Sequence, residues 1–206
     1  MYIVKATPQQ FSAVRAFYFA VIDGLADAEY GPGWEKDIYP APEYLADAIG
    51  AGELYIGVDE GSREIIAAMV LNHHCNEAYQ GFPWPTEAAP DEVMVIHTLA
   101  VLPQHTGKGY AKQLVRFAID VARTQRQKAI RLDVLAGNVP AERLYTALGF
   151  VYLGTIPMFY EDTGWTDYEL YELQLDGTGE PIAAMRESAS GVNATAANTA
   201  PEGRDA

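Results

Sequence analysis

A glycine-rich turn is the first place where this sequence could do chemistry. Gln104-His105-Thr106-Gly107-Lys108-Gly109 follows an apolar, β-branched run from Val93 to Val101. After it, Ala111, Leu114, Val115, Ala118, Val121 and Ala122 recur at helical spacing. A strand that turns through such a loop into a helix presents unpaired backbone N–H groups where the helix begins. Those donors and the helix dipole favour an anion, and Gly107 and Gly109 let a phosphate approach the backbone with no Cβ in the way. Lys108 reads either as added charge against that phosphate or as a solvated surface cation. A histidine, His97, lies inside the strand and titrates near neutrality.

Two common phosphate loops are excluded by spacing. The loop of nucleotide hydrolases needs a Ser or Thr after Gly-Lys to meet magnesium. Here Gly109 follows Lys108, and Leu102 stands where the first glycine belongs. The dinucleotide fingerprint needs a third glycine, and Lys112 occupies that position. A second segment narrows the choice. Asn138-Val-Pro-Ala-Glu-Arg-Leu-Tyr145-Thr-Ala-Leu-Gly149-Phe150 follows another strand-like run, Ala129 to Val134. Asn138 is a good helix N-cap, Pro140 suits the first turn, and Gly149 suits the helix end.

These two segments, in this order and each after a strand, resemble the acyl-CoA-binding segments of the GNAT superfamily of N-acetyltransferases. Gln104-x-x-Gly107-x-Gly109 matches that family's pyrophosphate loop, and Asn138 through Phe150 matches its second CoA-side segment. The resemblance covers roughly residues 1–175 and implies acetyl-CoA as co-substrate. It implies that backbone groups of Gln104, His105, Thr106, Gly107, Lys108, Gly109, Tyr110 and Ala111 hold the pyrophosphate. Leu99, Ala100 and Val101 would lie beside the pantetheine arm, with a backbone N–H near Leu99 polarising the thioester carbonyl. Asn138 has two roles open, a helix cap alone or also a contact to CoA. Tyr145 is either the acid that protonates the departing thiolate or a core aromatic beside Leu144 and Leu148. His97 matches a histidine that serves as base, or relays to it, in some members such as the arylalkylamine acetyltransferases; otherwise it is a packed histidine bonded to a carbonyl. Water chains to Glu92 or Asp91 are the rival base, and at most one of His73 and His74 can face the pocket. Trp34, Tyr39, Tyr79 and Trp84 lie in connections that the family folds over the acceptor; ordinary aromatic burial is the alternative for each.

The elements that must position these residues follow from periodicity. Tyr2–Ala6, Leu54–Val58, Glu64–Asn72, Val93–Val101, Ala129–Val134, Tyr152–Thr155 and Tyr168–Leu175 read as strands. Helices are expected from Pro8, over Pro42–Ala51, from Tyr110, and from Asn138. On a regular strand Val93, Val95, His97, Leu99 and Val101 share one face. The order β-α-α-β-β-β-α-β-α-β-β combines hairpins with two strand–helix crossovers. The class is therefore α/β or α+β: a mixed, mostly antiparallel sheet flanked by helices, which is also the order of the GNAT fold. Residues 1–176 form one domain. From Gly177 large apolar residues nearly vanish, and the segment 177–206 reads as a flexible tail.

The chain has 206 residues, of which 49% are apolar, and a net charge of −14. That charge argues against nucleic acid and anionic membranes as partners. A single cysteine, Cys75, fits a reducing compartment and has no partner for an internal disulfide. Neither a signal peptide nor a transmembrane run is legible, so a cytoplasmic location is expected. No metal is expected, and a monomer or homodimer is. The expected activity is direct transfer of acetyl from acetyl-CoA to a primary amine of a small molecule, amino acid or peptide. Glu29, Glu35, Asp37, Glu77 and Glu87 lie in the expected acceptor loops and point to a cationic amine. A CoA-binding sensor, an inactive protein of the same fold, and a transferase using another acyl-CoA are the alternatives.

Overall fold

The computed structural model of the chain describes residues 1–175. The expected domain end at residue 176 and the tail after it lie outside the described residues. The elements are β1 (Tyr2–Lys5), α1 (Phe11–Leu25), α2 (Pro42–Gly50), β2 (Leu54–Val58), β3 (Ile65–Asn72), β4 (Val93–Val101), α3 (Tyr110–Thr124), β5 (Ala129–Leu135), α4 (Val139–Thr146), β6 (Val151–Tyr160) and β7 (Gly164–Gln174). Their order is the one read from periodicity. They form one sheet with strand order β1-β2-β3-β4-β5-β7-β6, antiparallel throughout except where β4 meets β5.

Both sheet faces are covered. Val14, Phe17, Tyr18 and Val21 of α1 and Leu45, Ala48 and Ile49 of α2 pack on Ile56, Ile66, Ala68 and Val70. Leu114, Val115, Ala118, Ile119 and Ala122 form the buried stripe of α3 and pack on Met69, Met94, Ile96 and Ile130. Apolar residues at i, i+3 and i+4 keep one helical stripe on the sheet, which is why these helices form where they do.

The last two strands are longer than expected. β6 and β7 make one hairpin in which Pro157 pairs with Asp167 and Tyr160 with Gly164. Proline is tolerated there because β6 is the outer strand of the sheet. The extra length carries Met158, Tyr160 and Tyr168 up to the connection between β3 and β4, where they join Tyr79 in a third apolar cluster.

Candidate active site

β4 and β5 pair only at Val93–Val95 against Ala129–Arg131. Beyond that point β4 stays with β3 while β5 continues beside β7 as far as Leu135. The β5-facing backbone groups of Ile96 to Leu99 therefore lack a strand partner, and buried backbone groups of this kind require one. A β-bulge widens the opening. Val70 pairs with His97 and Ala68 with Ala100, so three steps on β4 match two on β3. Thr98 takes up the extra residue at φ 47°, an uncommon conformation for a β-branched side chain.

The bulge corrects one expectation. His97 does not share a face with Leu99 and Val101. Leu99 and Val101 pack with Met94 and Ile96 on the α3 side, while Ala100 joins Ala68 and Val70 on the α1 side. An extra residue reverses the alternation of side chains beyond it.

The opening leads into a cavity of about 110 Å³ with His97, Thr98 and Leu99 on one wall and Asp133, Val134 and Leu135 on the other. Asn138 and Tyr145 reach it from α4. Asn138 Oδ1 accepts the Ala141 N–H at 3.3 Å, so the residue is a helix cap and also lines the cavity. Tyr145 packs edge-on against Phe150 at 5.5 Å between ring centres. Its hydroxyl has no hydrogen-bond partner among the described residues. Burial and the nearby Asp133 raise its pKa above that of a free phenol, so it holds its proton throughout the neutral range.

His97 is half-buried at the other side. Its Nε2 lies 3.0 Å from Asn72 Oδ1 and 2.9 Å from the His74 carbonyl. Both partners are acceptors, so Nε2 carries the hydrogen and Nδ1 keeps the lone pair. Burial lowers the pKa of His97 to about 4, and the ring is neutral at physiological pH. A ring this weakly basic passes a proton on more readily than it holds one. Glu92, just before β4, accepts Lys128 Nζ at 2.7 Å and the Ala89 N–H at 2.9 Å and does not line the cavity, so only a water chain could link it to the site. His73 bonds the Val93 carbonyl at 2.8 Å and also lies outside the cavity.

The loop from Gln104 to Gly109 is largely exposed and leads directly into α3. Gly107 and Gly109 stand at φ 75° and 80°, and a Cβ built on either would meet no protein atom within 4 Å. Positive φ explains the glycines locally, and the open space leaves room for a ligand. Thr106 Oγ1 donates to the Pro103 carbonyl at 2.7 Å, and Lys108 Nζ lies 3.4 Å from His105 Nδ1.

The four expected acceptor-side aromatics separate into two groups. Trp34 and Tyr39, from the connection between α1 and α2, line the cavity and lie 6.0 Å apart between ring centres. Tyr79 is buried behind it and donates its hydroxyl to Asp133 Oδ2 at 2.8 Å. Trp84 does not line the cavity: its ring covers the Arg131 guanidinium at 4.3 Å, and its indole N–H donates to the Tyr79 carbonyl at 3.0 Å. None of the loop acids Glu29, Glu35, Asp37, Glu77 and Glu87 lines the cavity, and Asp37 is paired with Arg15. The acids that do line it are Asp133 and Asp162, with Tyr160 and Tyr168 of the β6–β7 hairpin beside them. In the run Ala129 to Leu135 two charged residues, Arg131 and Asp133, alternate with apolar ones, and that pattern does not by itself separate the two.

Known proteins resemble this chain in sequence and in fold. Residues 20–150 match the acetyltransferase (GNAT) family, and the chain belongs to that family. It is 33% identical over 90 residues to the L-amino acid N-acyltransferase MnaT of Escherichia coli, covering 43% of this chain and 52% of that protein. It is 32% identical over 83 residues to a streptothricin acetyltransferase of Streptomyces lavendulae, covering 40% of this chain and 44% of that protein. The chain thus spans about half the length of these relatives. A GNAT-family acetyltransferase of Listeria monocytogenes has the same fold, with a TM-score of 0.65 at 18% identity over 84% of this chain and 94% of that one. A Salmonella typhimurium protein reported as an acetyltransferase, solved with its cofactor acetyl-CoA, has a TM-score of 0.62 at 19% identity, covering 85% of this chain and 94% of that one. Among the described residues no helix is long and apolar enough to cross a membrane.

Proposed function

We propose that this protein is an N-acetyltransferase that moves the acetyl group of acetyl-CoA to a primary amine by direct attack, both substrates being bound together. The observation that carries the reading is the parting of β4 from β5 after Val95, with Tyr145 on the wall of the resulting cavity. The parted edge of Ile96 to Leu99 suits an extended amide-bearing arm such as pantetheine, which can take the place of the missing strand. The Gln104–Ala111 turn, with open space at Gly107 and Gly109, suits the pyrophosphate. Acetyl-CoA supplies an acetyl group already activated as a thioester.

The chain's own residues then have separable tasks. A backbone N–H of the bulge, at about Leu99, faces the developing oxyanion; one such donor is typically worth about 10²–10³ in rate. Tyr145 donates its phenolic proton to the leaving sulfur. His97 takes a proton at Nδ1 and passes it from there to water, because its Nε2–H faces only the Asn72 and His74 carbonyl oxygens. Trp34 and Tyr39 exclude water and position the acceptor. The lone Cys75 lies outside this cavity, which fits transfer without a covalent enzyme intermediate. A reducing cytoplasm is the compartment we assign.

The test joins calorimetry with CoA to a thiol-release assay across amines, amino acids, polyamines and peptide N-termini. Micromolar CoA binding with acceptor-dependent thiol release is expected. CoA binding without release on any acceptor leaves a sensor; no CoA binding removes the reading altogether.

A further inference from the structure

Asp133 is a carboxylate without a counter-ion. It projects from β5 into the cavity wall, and its Oδ2 accepts hydroxyl hydrogens from Tyr79 at 2.8 Å and Tyr160 at 3.0 Å. Both donors are neutral phenols. Burial raises the pKa of Asp133 and the two tyrosine hydrogen bonds lower it, and no lysine, arginine or histidine is among the groups acting on it. A second carboxylate, Asp162, lines the same cavity, and among the described residues no lysine or arginine lines it. Both carboxylates are only partly exposed; carboxylates withdrawn from water are normally paired with a cation, and no described residue supplies one here.

The surroundings suit a cation brought from outside. Trp34, Tyr39, Tyr160 and Tyr168 form a continuous aromatic wall: Tyr39 lies 5.6 Å from Tyr160, and Tyr160 lies 4.9 Å from Tyr168, between ring centres. Aromatic faces attract ammonium groups, and two phenol donors hold the carboxylate in one orientation before a ligand arrives. Beyond Pro32, Trp34 and Leu135 the wall is shared with an apolar cavity lined by Ile22, Leu25 and Ala28. That cavity offers room for an uncharged arm of the acceptor.

We infer that the acceptor is an amine without a carboxylate, and that its ammonium group sits against Asp133. This deepens the acetyltransferase reading and rests on it. Asp133 takes one proton from the ammonium nitrogen, leaving a neutral amine with a free lone pair; the carboxyl later returns that proton to water. A free α-amino acid fits poorly. Its own carboxylate, one carbon from the nitrogen, would enter a wall holding Asp133 and Asp162 and would find no cation. This separates the chain from the L-amino acid N-acyltransferase to which it is 33% identical over 90 residues.

Matched pairs test the inference on the unaltered protein: agmatine against L-arginine, phenethylamine against L-phenylalanine, and the amino-acid methyl esters as a third arm. At least ten-fold higher kcat/KM is expected for the amines and esters than for the free amino acids. Amino acids equal to or better than their amines overturn the inference and leave the acetyltransferase reading standing. A protein that binds CoA and acetylates nothing in the set overturns both. In Asp133→Asn, which keeps the shape and an acceptor oxygen for the tyrosines, kcat/KM for the best amine should fall at least 100-fold with CoA affinity retained. An unchanged kcat/KM in that variant also overturns it.

Discussion

The hydroxyl of Tyr18, on α1, donates to the Thr98 carbonyl at 3.0 Å, at the one residue where β4 departs from regular pairing. It also lies 3.2 Å from Thr98 Oγ1. Tyr18 is 1% exposed and Thr98 5%, so the contact is made away from water. A side chain of α1 thus holds the bulged residue of β4 beside the cavity. The expectation is that Tyr18 acts as a positioning residue, through the bulge.

Tyr18→Phe should therefore affect stability and turnover together. The Thr98 carbonyl would lose a buried donor, at a cost of about 1–3 kcal/mol. Denaturant titration should record that loss, and kcat should fall with little change in CoA affinity. An unaltered kcat in a folded variant would show that the bulge holds without this bond.

Tyr145→Phe removes only a hydroxyl that has no hydrogen-bond partner among the described residues. Stability should be unchanged or slightly improved. Turnover should fall by about 10²–10⁴, the scale of a positioned proton donor, with CoA binding intact. Wild-type turnover would make Tyr145 a core aromatic alone.

Gly107→Ala places a Cβ where no protein atom lies within 4 Å, but at φ 75°. The strain costs about 1–2 kcal/mol of stability. Gly81→Ala, at φ 83° with equally open space, carries the same strain outside the loop. Calorimetry should show CoA affinity reduced at least ten-fold in the first variant and retained in the second. Equal affinities would remove the turn from the pyrophosphate site.

The low pKa of His97 bears on stability as well as catalysis. The unfolded chain binds a proton on this residue below its ordinary pKa of 6.5, whereas the folded chain refuses it until about 4. Stability should then fall as pH drops through that window, because the unfolded state binds more protons there. His97→Gln should remove that part of the slope in denaturant titrations between pH 7 and pH 4. In activity profiles, an inflection due to His97 is expected near pH 4 and not near neutrality.

Glu172 is 1% exposed and accepts Arg131 Nε at 2.9 Å and the Thr86 hydroxyl at 2.8 Å. Arg131 also donates to the Thr86 carbonyl at 2.7 Å. This network ties the connection between β3 and β4, which carries Tyr79, to β5 and β7. Glu172→Ala leaves the largely buried Arg131 guanidinium without its carboxylate, keeping only the Thr86 carbonyl and the Trp84 ring, and should cost about 3–5 kcal/mol. Thermal unfolding measures it; a variant as stable as the wild type would mean that water replaces the carboxylate.

The parts of this protein that were legible in the sequence are those set by neighbours along the chain. Apolar spacing within one element marks α3 and β5, because a helix or strand must bury one stripe or face whatever it packs on. Asn138 could be read as a cap because its partner, Ala141, is three residues away. Gly107 and Gly109 marked a turn because only local sterics decide φ. The bulge at Thr98 could not be read this way, since it exists only in the register between β3 and β4, and without it the face assigned to Leu99 and Val101 came out reversed. Asp133 is 54 residues from Tyr79 and 27 from Tyr160, and neither tyrosine is meaningful to it until the hairpin β6–β7 and the Asn76–Asp91 connection fold over β5. Trp84 reads as an acceptor aromatic until Arg131 is brought beneath it. Periodicity specifies which residues are buried; which buried groups meet is decided by pairing between distant strands, where a single extra residue changes the answer.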